Sequence, residues 1–363
     1  MPNESEFLKM ANLKNFSEIV QQLIASSEIN VSVIDLSNEE HRKTYYEIIE
    51  RNPDIPFDYS LDWYDYFVCQ YLSTHTEFLI YVFVFSIGDQ ILCFWPLLIE
   101  QDSESLRIGS LNHPVRMPIN IDLSDHHFST VYNAIFYTCQ RIGKYSTKGT
   151  IHFEHRELKY SNKWNWLTLI SSKATEGFVR AEMTVDLNLP LDEIRNRIRK
   201  SYRSMIQLRN NELKLSVIDN DELGLWSECR DFHISYVGRQ TRSDETWKIQ
   251  SECARMGRAF IVRVTNEKDE LCGFGLFCHN QFECVYSTGV YDRLGSGVGL
   301  GHVVQWAAIQ EMKNRELKRY TVGVKNFDND LAFPSEKEKS ISYFKEGFAT
   351  HILPRYILMY QNK

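Results

Sequence analysis

The densest apolar stretch of the chain runs from Phe78 to Ile99, and Ser86, Gly88, Asp89 and Gln90 cut it into two runs of β-branched and aromatic residues. Each run is too short to cross a bilayer as a helix. Two such runs around a polar, glycine-containing turn predict a β-hairpin. Ahead of the hairpin, a polar helix-like run spans Glu39 to Arg51 and a second helix-like stretch spans Ser60 to Leu72. Behind it, Thr130 to Ile142 reads as a helix, Thr150 to Phe153 as a strand and Trp164 to Ile170 as an aromatic helix. The same succession then returns. Helices are expected over Asp221 to His233 and Asp244 to Met256, and strands over Ala259 to Val264, Leu271 to Cys278 and Phe282 to Val290. A helix from Gly301 to Arg315, a strand from Arg319 to Val324 and a last aromatic helix from Ile341 to Phe348 close the pattern.

Residue identities support the recurrence. Ser32-Val33-Ile34-Asp35 reappears as Ser216-Val217-Ile218-Asp219, and Trp63 finds a counterpart in Trp247, both 184 residues on. Four matching residues carry little weight alone; the recurring order of elements at nearly one displacement carries more. The expectation is an α/β (α+β) protein of two tandem domains, 1–180 and 181–363, each a mixed central sheet flanked by helices. At 363 residues the chain suits two such cores. The competing reading is one large open sheet with a coincidental tetrapeptide.

One segment has no counterpart. Leu191 to Leu213 has Pro190 and Asp192-Glu193 near its start, and then places Ile194, Ile198, Tyr202, Met205 and Ile206 at helical spacing. A helix is expected there, with Arg195, Arg199 and Arg203 as a second stripe joined by Arg197, Lys200 and Arg209. Two readings stand: a surface that faces phosphate groups, or a solvated amphipathic helix packed by its apolar side.

Composition narrows the function classes. With 43% hydrophobic and 25% charged residues the chain is globular, and a formal charge of −7 argues against bulk nucleic-acid binding, so DNA is not an expected partner. Eight scattered cysteines form no Cys-x-x-Cys pair, and the start carries acids without an apolar core. Reduced thiols and a cytoplasmic location are expected, without a signal peptide or a transmembrane segment. His152-Phe153-Glu154-His155 would split across the two faces of a strand, and Asn112-His113-Pro114 and His126-His127 read as loop residues, so no metal site is expected.

Two loops concentrate candidate chemistry. From Asp292 the chain reads Arg293-Leu294-Gly295-Ser296-Gly297-Val298-Gly299-Leu300-Gly301-His302, between a strand and a helix. Alternate glycines let backbone N–H groups converge on an anion at a helix N-terminus, so Arg293, Gly295, Gly297, Gly299 and Gly301 are candidate donor-binding positions; a plain flexible turn is the alternative. The second loop, His233 to Ser243, carries Arg239, Thr241 and Arg242, suited to oriented binding of phosphate or carboxylate, with Trp247 just beyond. Solvated residues with Ser243 capping the next helix are its alternative. Amide formation from a thioester or ester needs a group that takes a proton from the incoming ammonium, and Asp292, His302 and His233 border these loops as candidates.

Four stretches of the second half resemble the FemAB-like acyltransferases with a duplicated GNAT-type fold, including the BioF2-like group. They are the basic run Ile194 to Arg203, the run Gly238 to Ser243 with Trp247, the run Tyr286 to Asp292 leading into Gly301 to Trp306, and the ending Ile341 to Phe348, which carries Tyr343-x-Lys345-x-Gly347-Phe348. The likeness covers about residues 185 to 352; the first half matches by architecture. It implies transfer of an acyl or aminoacyl group to an amine, commonly in cell-envelope or surface-glycan precursors, and it adds Tyr286 and Lys345 to the substrate-binding positions. No permanently bound cofactor is expected. The resemblance implies acyl-CoA as co-substrate and an amine-bearing, acidic or phosphorylated acceptor such as an amino sugar. An aminoacyl-tRNA donor and a non-catalytic glycan- or partner-binding module are the alternatives. Where relatives place arginine or glutamine three residues before a Gly-x-Gly pair, this chain has Leu294 or Ser296, with Arg293 displaced.

Overall fold

The computed structural model describes residues 21–361 apart from 23, 26, 73–76, 102–105, 109–113, 144–149, 157–165, 208–211, 220–222, 293–298 and 329–332. In the first half the elements are β1 (Asn30–Asp35), α1 (Glu39–Glu50), α2 (Leu61–Leu72), β2 (Glu77–Ile87), β3 (Gln90–Gln101), β4 (Leu106–Ile108), β5 (Val115–Arg116), β6 (Ile119–Asn120), α3 (Asp125–Gly143), β7 (Thr150–Arg156) and α4 (Trp166–Ser171). The second half contributes β8 (Glu176–Asp186), α5 (Leu191–Arg197), β9 (Lys214–Ile218), α6 (Leu223–Val237), α7 (Asp244–Arg255), β10 (Ala259–Thr265), β11 (Leu271–His279), β12 (Glu283–Tyr291), α8 (Leu300–Asn314), β13 (Arg319–Lys325), α9 (Glu336–Glu346) and β14 (His351–Gln361).

These elements form two compact units. The first comprises Met1–Asn52, Tyr71–Arg180 and Pro354–Lys363, and the second comprises Pro53–Gln70 and Ala181–Leu353. In the first unit β2 and β3 form the hairpin expected from the apolar runs, with Gly88 at φ 53° in its turn and Phe83 opposite Trp95. The rings of Phe83 and Trp95 stack at 5.6 Å in a core that α3 and α4 close through Phe128 and Trp166. β1 extends the sheet at one side, and β7 takes β4 in parallel and β14 antiparallel at the other.

The second unit holds the order β8-β13-β12-β11-β10-β9, antiparallel except for β12 beside β13. Its strands alternate between two cores. Phe260, Val262 and Val264 face the side covered by α8 and by the buried residues around α5. Ala259 and Ile261 face the side covered by α6, α7 and α2, where Trp63, Trp226 and Trp247 pack. Burial of both faces between two helical layers explains why β10 is buried along its whole length and apolar except at Arg263 and Thr265.

Three expectations need correction. Leu191 to Leu213 is not one helix: α5 ends at Arg197, Ile198 and Arg199 are extended at ψ 143° and 129°, and a 3-10 turn covers Lys200–Tyr202. Tertiary bonds take the place of helical ones there, with the Arg199 N–H donating to Gly347 O at 2.8 Å and its guanidinium to Tyr343 O at 3.0 Å and Glu346 at 3.2 Å. Ile194, Ile198, Tyr202 and Ile206 are nonetheless all buried, as their spacing suggests. His233 to Val237 belongs to α6, which ends at Gly238 with φ 75°. His126 and His127 lie in the first turn of α3, not in a loop. In addition, β8 and β14 are strands that the sequence pattern leaves unread. No helix among the described residues is long and apolar enough to cross a membrane.

Candidate functional site

In the second unit, β12 and β13 pair in parallel only over Glu283↔Arg319, Cys284↔Tyr320 and Val285↔Thr321. Where this pairing stops, each strand carries an extra residue. On β12, Tyr286 and Thr288 face consecutive residues of β11, leaving Ser287 as the bulge; on β13, Thr321 and Gly323 face consecutive residues of β8, leaving Val322. Bulges bend a strand and release its pairing, so two of them at one level part β12 from β13 and open a gap in the sheet.

The bulge also reverses side-chain parity. Tyr286 and Tyr291 are five residues apart, which on a regular strand puts them on opposite faces, yet their hydroxyls hydrogen-bond at 2.9 Å. Gly289 makes room for them, because a Cβ there would run into the Tyr286 hydroxyl. Tyr286 stacks on Phe277 at 5.4 Å, and burial pushes its phenol up to about 12 despite hydrogen bonds from Tyr291 and Gln305. Beneath it the Tyr320 hydroxyl donates to Gln305 Oε1 at 2.5 Å, both residues fully buried.

Lys345 reaches this gap from the last turn of α9. The helix is fixed at its start by Ser335 and Glu338, which cap each other's backbone N–H groups. Lys345 Nζ lies 5.0 Å above the Tyr286 ring of β12, and a Cβ on Gly323 of β13 would stand 3.1 Å from it. The amine therefore sits between the two parted strands. Loss of solvent lowers its pKa from the ordinary 10.5 to about 8, and the tyrosine face offsets part of that cost as a cation–π partner. Its neighbour Glu346 pairs with Arg199 and Lys325, which ties the end of α9 to β13 and to the segment after α5.

The opposite side of the Ser287 bulge meets the loop between α6 and α7. Arg242 donates from Nε to the Tyr66 hydroxyl at 3.1 Å and from Nη2 to Ser287 O at 3.2 Å, while Gln250 Nε2 donates to Ser287 Oγ at 2.6 Å. Thr241 Oγ1 stands 3.5 Å from Nη1, and Arg239 is exposed. His233 on α6 is buried with its ring 5.7 Å from Trp247, and burial followed by the Arg242 charge lowers its pKa. Ser243 caps α7, accepting from Thr246 N at 3.2 Å, so the capping alternative is part of this loop's structure.

Of the glycine loop, Arg293, Gly295 and Gly297 lie outside the described residues. Gly299 is the N-cap of the fifteen-residue α8, whose first turn has no side-chain cap. Both Gly299 and Gly301 answer a packing demand: a Cβ on Gly299 would come within 2.6 Å of His302 Nδ1, and one on Gly301 would press on Phe344 and Tyr291 at 3.1 Å. Asp292 directly follows β12, its N–H donating to Cys272 O at 2.8 Å. His302 lies edge-on to Tyr202 at 4.3 Å and to Phe344 at 5.1 Å. Burial lowers its pKa, and its Nε2 is buried without a hydrogen-bond partner among the described residues. The structure thus gathers Tyr286 and Lys345 at the gap and His233, Thr241, Arg242 and Trp247 behind the bulge. The two bulges and the contributions of Tyr66 and Gln250 escape sequence reasoning, because they depend on long-range register.

No protein-family model matches the chain, and no curated protein matches it in sequence. Solved structures do. The crystal structure of FemX matches over 87% of this chain and 95% of its own, at 11% identity and a TM-score of 0.63. A conserved protein of unknown function from Bacteroides thetaiotaomicron VPI-5482 matches over 89% and 97%, at 10% identity and a TM-score of 0.52. A tandem GNAT protein from the clavulanic acid biosynthesis pathway matches over 92% and 99%, at 12% identity and a TM-score of 0.45. At such identities the likeness is one of fold, and over most of its length the chain carries the fold seen in FemX.

Proposed function

We propose that the second unit transfers an acyl group, from acyl-CoA, to the amine of an acidic or phosphorylated acceptor of the amino-sugar or envelope-precursor kind. The observation that carries this reading is the placement of Lys345 Nζ between β12 and β13 at the level where both strands bulge. Parted strands leave backbone N–H groups of β12 without a strand partner on that side, and a lysine beside them adds a movable positive charge. Together they suit the oxyanion that forms when an amine attacks a thioester carbonyl. The acyl carbon then forms a C–N bond and breaks its bond to sulfur, the thiolate leaves, and the acceptor nitrogen gives up a proton. His233 and His302, both with lowered pKa, are the proposed proton acceptors, with Asp292 as the third candidate. Arg239, Thr241 and Arg242 bind the acceptor's acidic group, beside Trp247.

The uncapped start of α8 suits the donor's pyrophosphate, with Gly299 and Gly301 and the preceding Arg293, Gly295 and Gly297 as its cradle. A CoA donor is preferred to aminoacyl-tRNA because three cations of the basic run are committed within the fold. Arg197 pairs with Glu193 at 2.6 Å, Arg199 with Glu346, and Arg203 donates to the carbonyls of Ile198 and Asn196. Thermal unfolding in acetyl-CoA, CoA and uncharged tRNA tests the donor, since a ligand held only by the folded state raises the midpoint. A rise with the CoA compounds alone supports the reading; a rise with tRNA alone, or with none, overturns it.

A further inference from the structure

We infer that Tyr66, on a helix from the chain's first half, is a positioning residue that aims Arg242 at the acceptor's anionic group. The inference rests on the proposed role of Arg242 in acceptor binding and adds the device that sets its geometry. A guanidinium is a planar fork, so fixing two of its nitrogens fixes the direction of the third. In Arg242 the Nε edge is held by the Tyr66 hydroxyl at 3.1 Å and Nη2 by Ser287 O at 3.2 Å. Among the described residues Nη1 meets only the distant Thr241 Oγ1 at 3.5 Å, which leaves its donors for an incoming carboxylate or phosphate oxygen.

Tyr66 is itself held rigidly. Asp62, Tyr66, Cys69 and Gln70 fall at i, i+4, i+7 and i+8, hence on one face of α2. Tyr66, Cys69 and Gln70 meet the acceptor loop or the start of α7, and Asp62 meets the residues just beyond the end of α7. Asp62 takes a two-point ion pair from Arg258 at 2.5 and 2.9 Å; Cys69 Sγ lies 3.6 Å from Ser243 Oγ and 3.5 Å from Thr246 Oγ1; Gln70 Nε2 reaches Thr241 O at 3.4 Å. Just ahead of α2, the Phe57 N–H donates to Glu283 Oε2 at 3.1 Å and Asn280 Nδ2 donates to Ile55 O at 2.7 Å. Residues 53–70 thus form a polar template along the loop, and a donor aimed in advance binds its anion without the cost of ordering.

The test is a double-mutant cycle on the full-length protein, with steady-state kinetics against the acceptor and an NMR observation of the Arg242 Nε–H, assigned by its loss in Arg242→Gln. Tyr66→Phe should raise the acceptor KM about tenfold, the scale of a hydrogen bond to a charged group, with kcat and the donor KM unchanged. It should add nothing in the Arg242→Gln background. It should also shift the Arg242 Nε–H signal, a readout independent of turnover. An unmoved signal, an additive cycle, or a loss confined to kcat overturns the positioning role. An unchanged acceptor KM in Arg242→Gln alone overturns the acceptor assignment instead, while a shifted signal in Tyr66→Phe would still show the coupling. Arg242→Lys, which cannot span both Tyr66 and Ser287, should behave as Arg242→Gln and guards against a folding defect peculiar to either change.

Discussion

Lys345 shows how position changes an ordinary amine. Its pKa of about 8 means that the ammonium prevails at neutral pH and is lost just above it. A cation that steadies an oxyanion is needed in its protonated form, so turnover should fall as pH rises through about 8. Lys345→Arg should remove that limb, because guanidinium stays charged, and Lys345→Met should lower kcat by about 10²–10³-fold. A rate that instead climbs through pH 8 would show that the neutral amine is the active form. Linkage gives a second check. Between pH 8 and the ordinary 10.5 the unfolded chain holds a proton on Lys345 that the folded protein has released. Stability relative to Lys345→Met should therefore rise with pH across that window, as denaturant titrations at several pH values would reveal. Beside it, Gly289→Ala would drive a methyl into the Tyr286 hydroxyl and cost about 1–3 kcal/mol, part of which Tyr286→Phe should restore.

At the scale of elements, the hairpin β2–β3, the run from β10 to β12 and the helix α8 follow directly from apolar periodicity and turn residues. Their sequences satisfy a local rule over their whole length. The segment after Pro190 has the same local signals, yet it breaks at Ile198, because Gly347 O, Tyr343 O and Glu346 offer Arg199 better partners than another helical turn. The bulges at Ser287 and Val322 left no mark in the sequence either. A nine-residue strand reads the same with or without one, and only the neighbouring strands' register reveals the extra residue. Lys345 entered the site through family resemblance, since nothing in the spacing of α9 places its amine between two strands. The α2 template makes an element-level prediction. Arg258→Ala strips a largely buried Asp62 of a two-point partner and should cost about 2 kcal/mol in chemical denaturation.

For the whole molecule, the chain forms two compact units but does not divide between them at one point. Residues 53–70 pack with the second unit, and residues 354–363 with the first. The Trp63 helix therefore shares a core with the Trp247 helix, its counterpart 184 residues on. Residues from both halves of the sequence therefore stand beside Arg242 and the parted strands.

The account's central claim is that the gap between β12 and β13 is where an acyl group passes to an amine. It is tested most directly by following thiol release from acetyl-CoA by the purified protein with a panel of phosphorylated and carboxylated amino sugars. Release that depends on one of the amines, yields its N-acetyl product by mass spectrometry and falls at least a hundredfold in Lys345→Met is the predicted result. Amine-dependent release that Lys345→Met leaves intact, or no release with any amine together with no stabilisation by CoA, would contradict it.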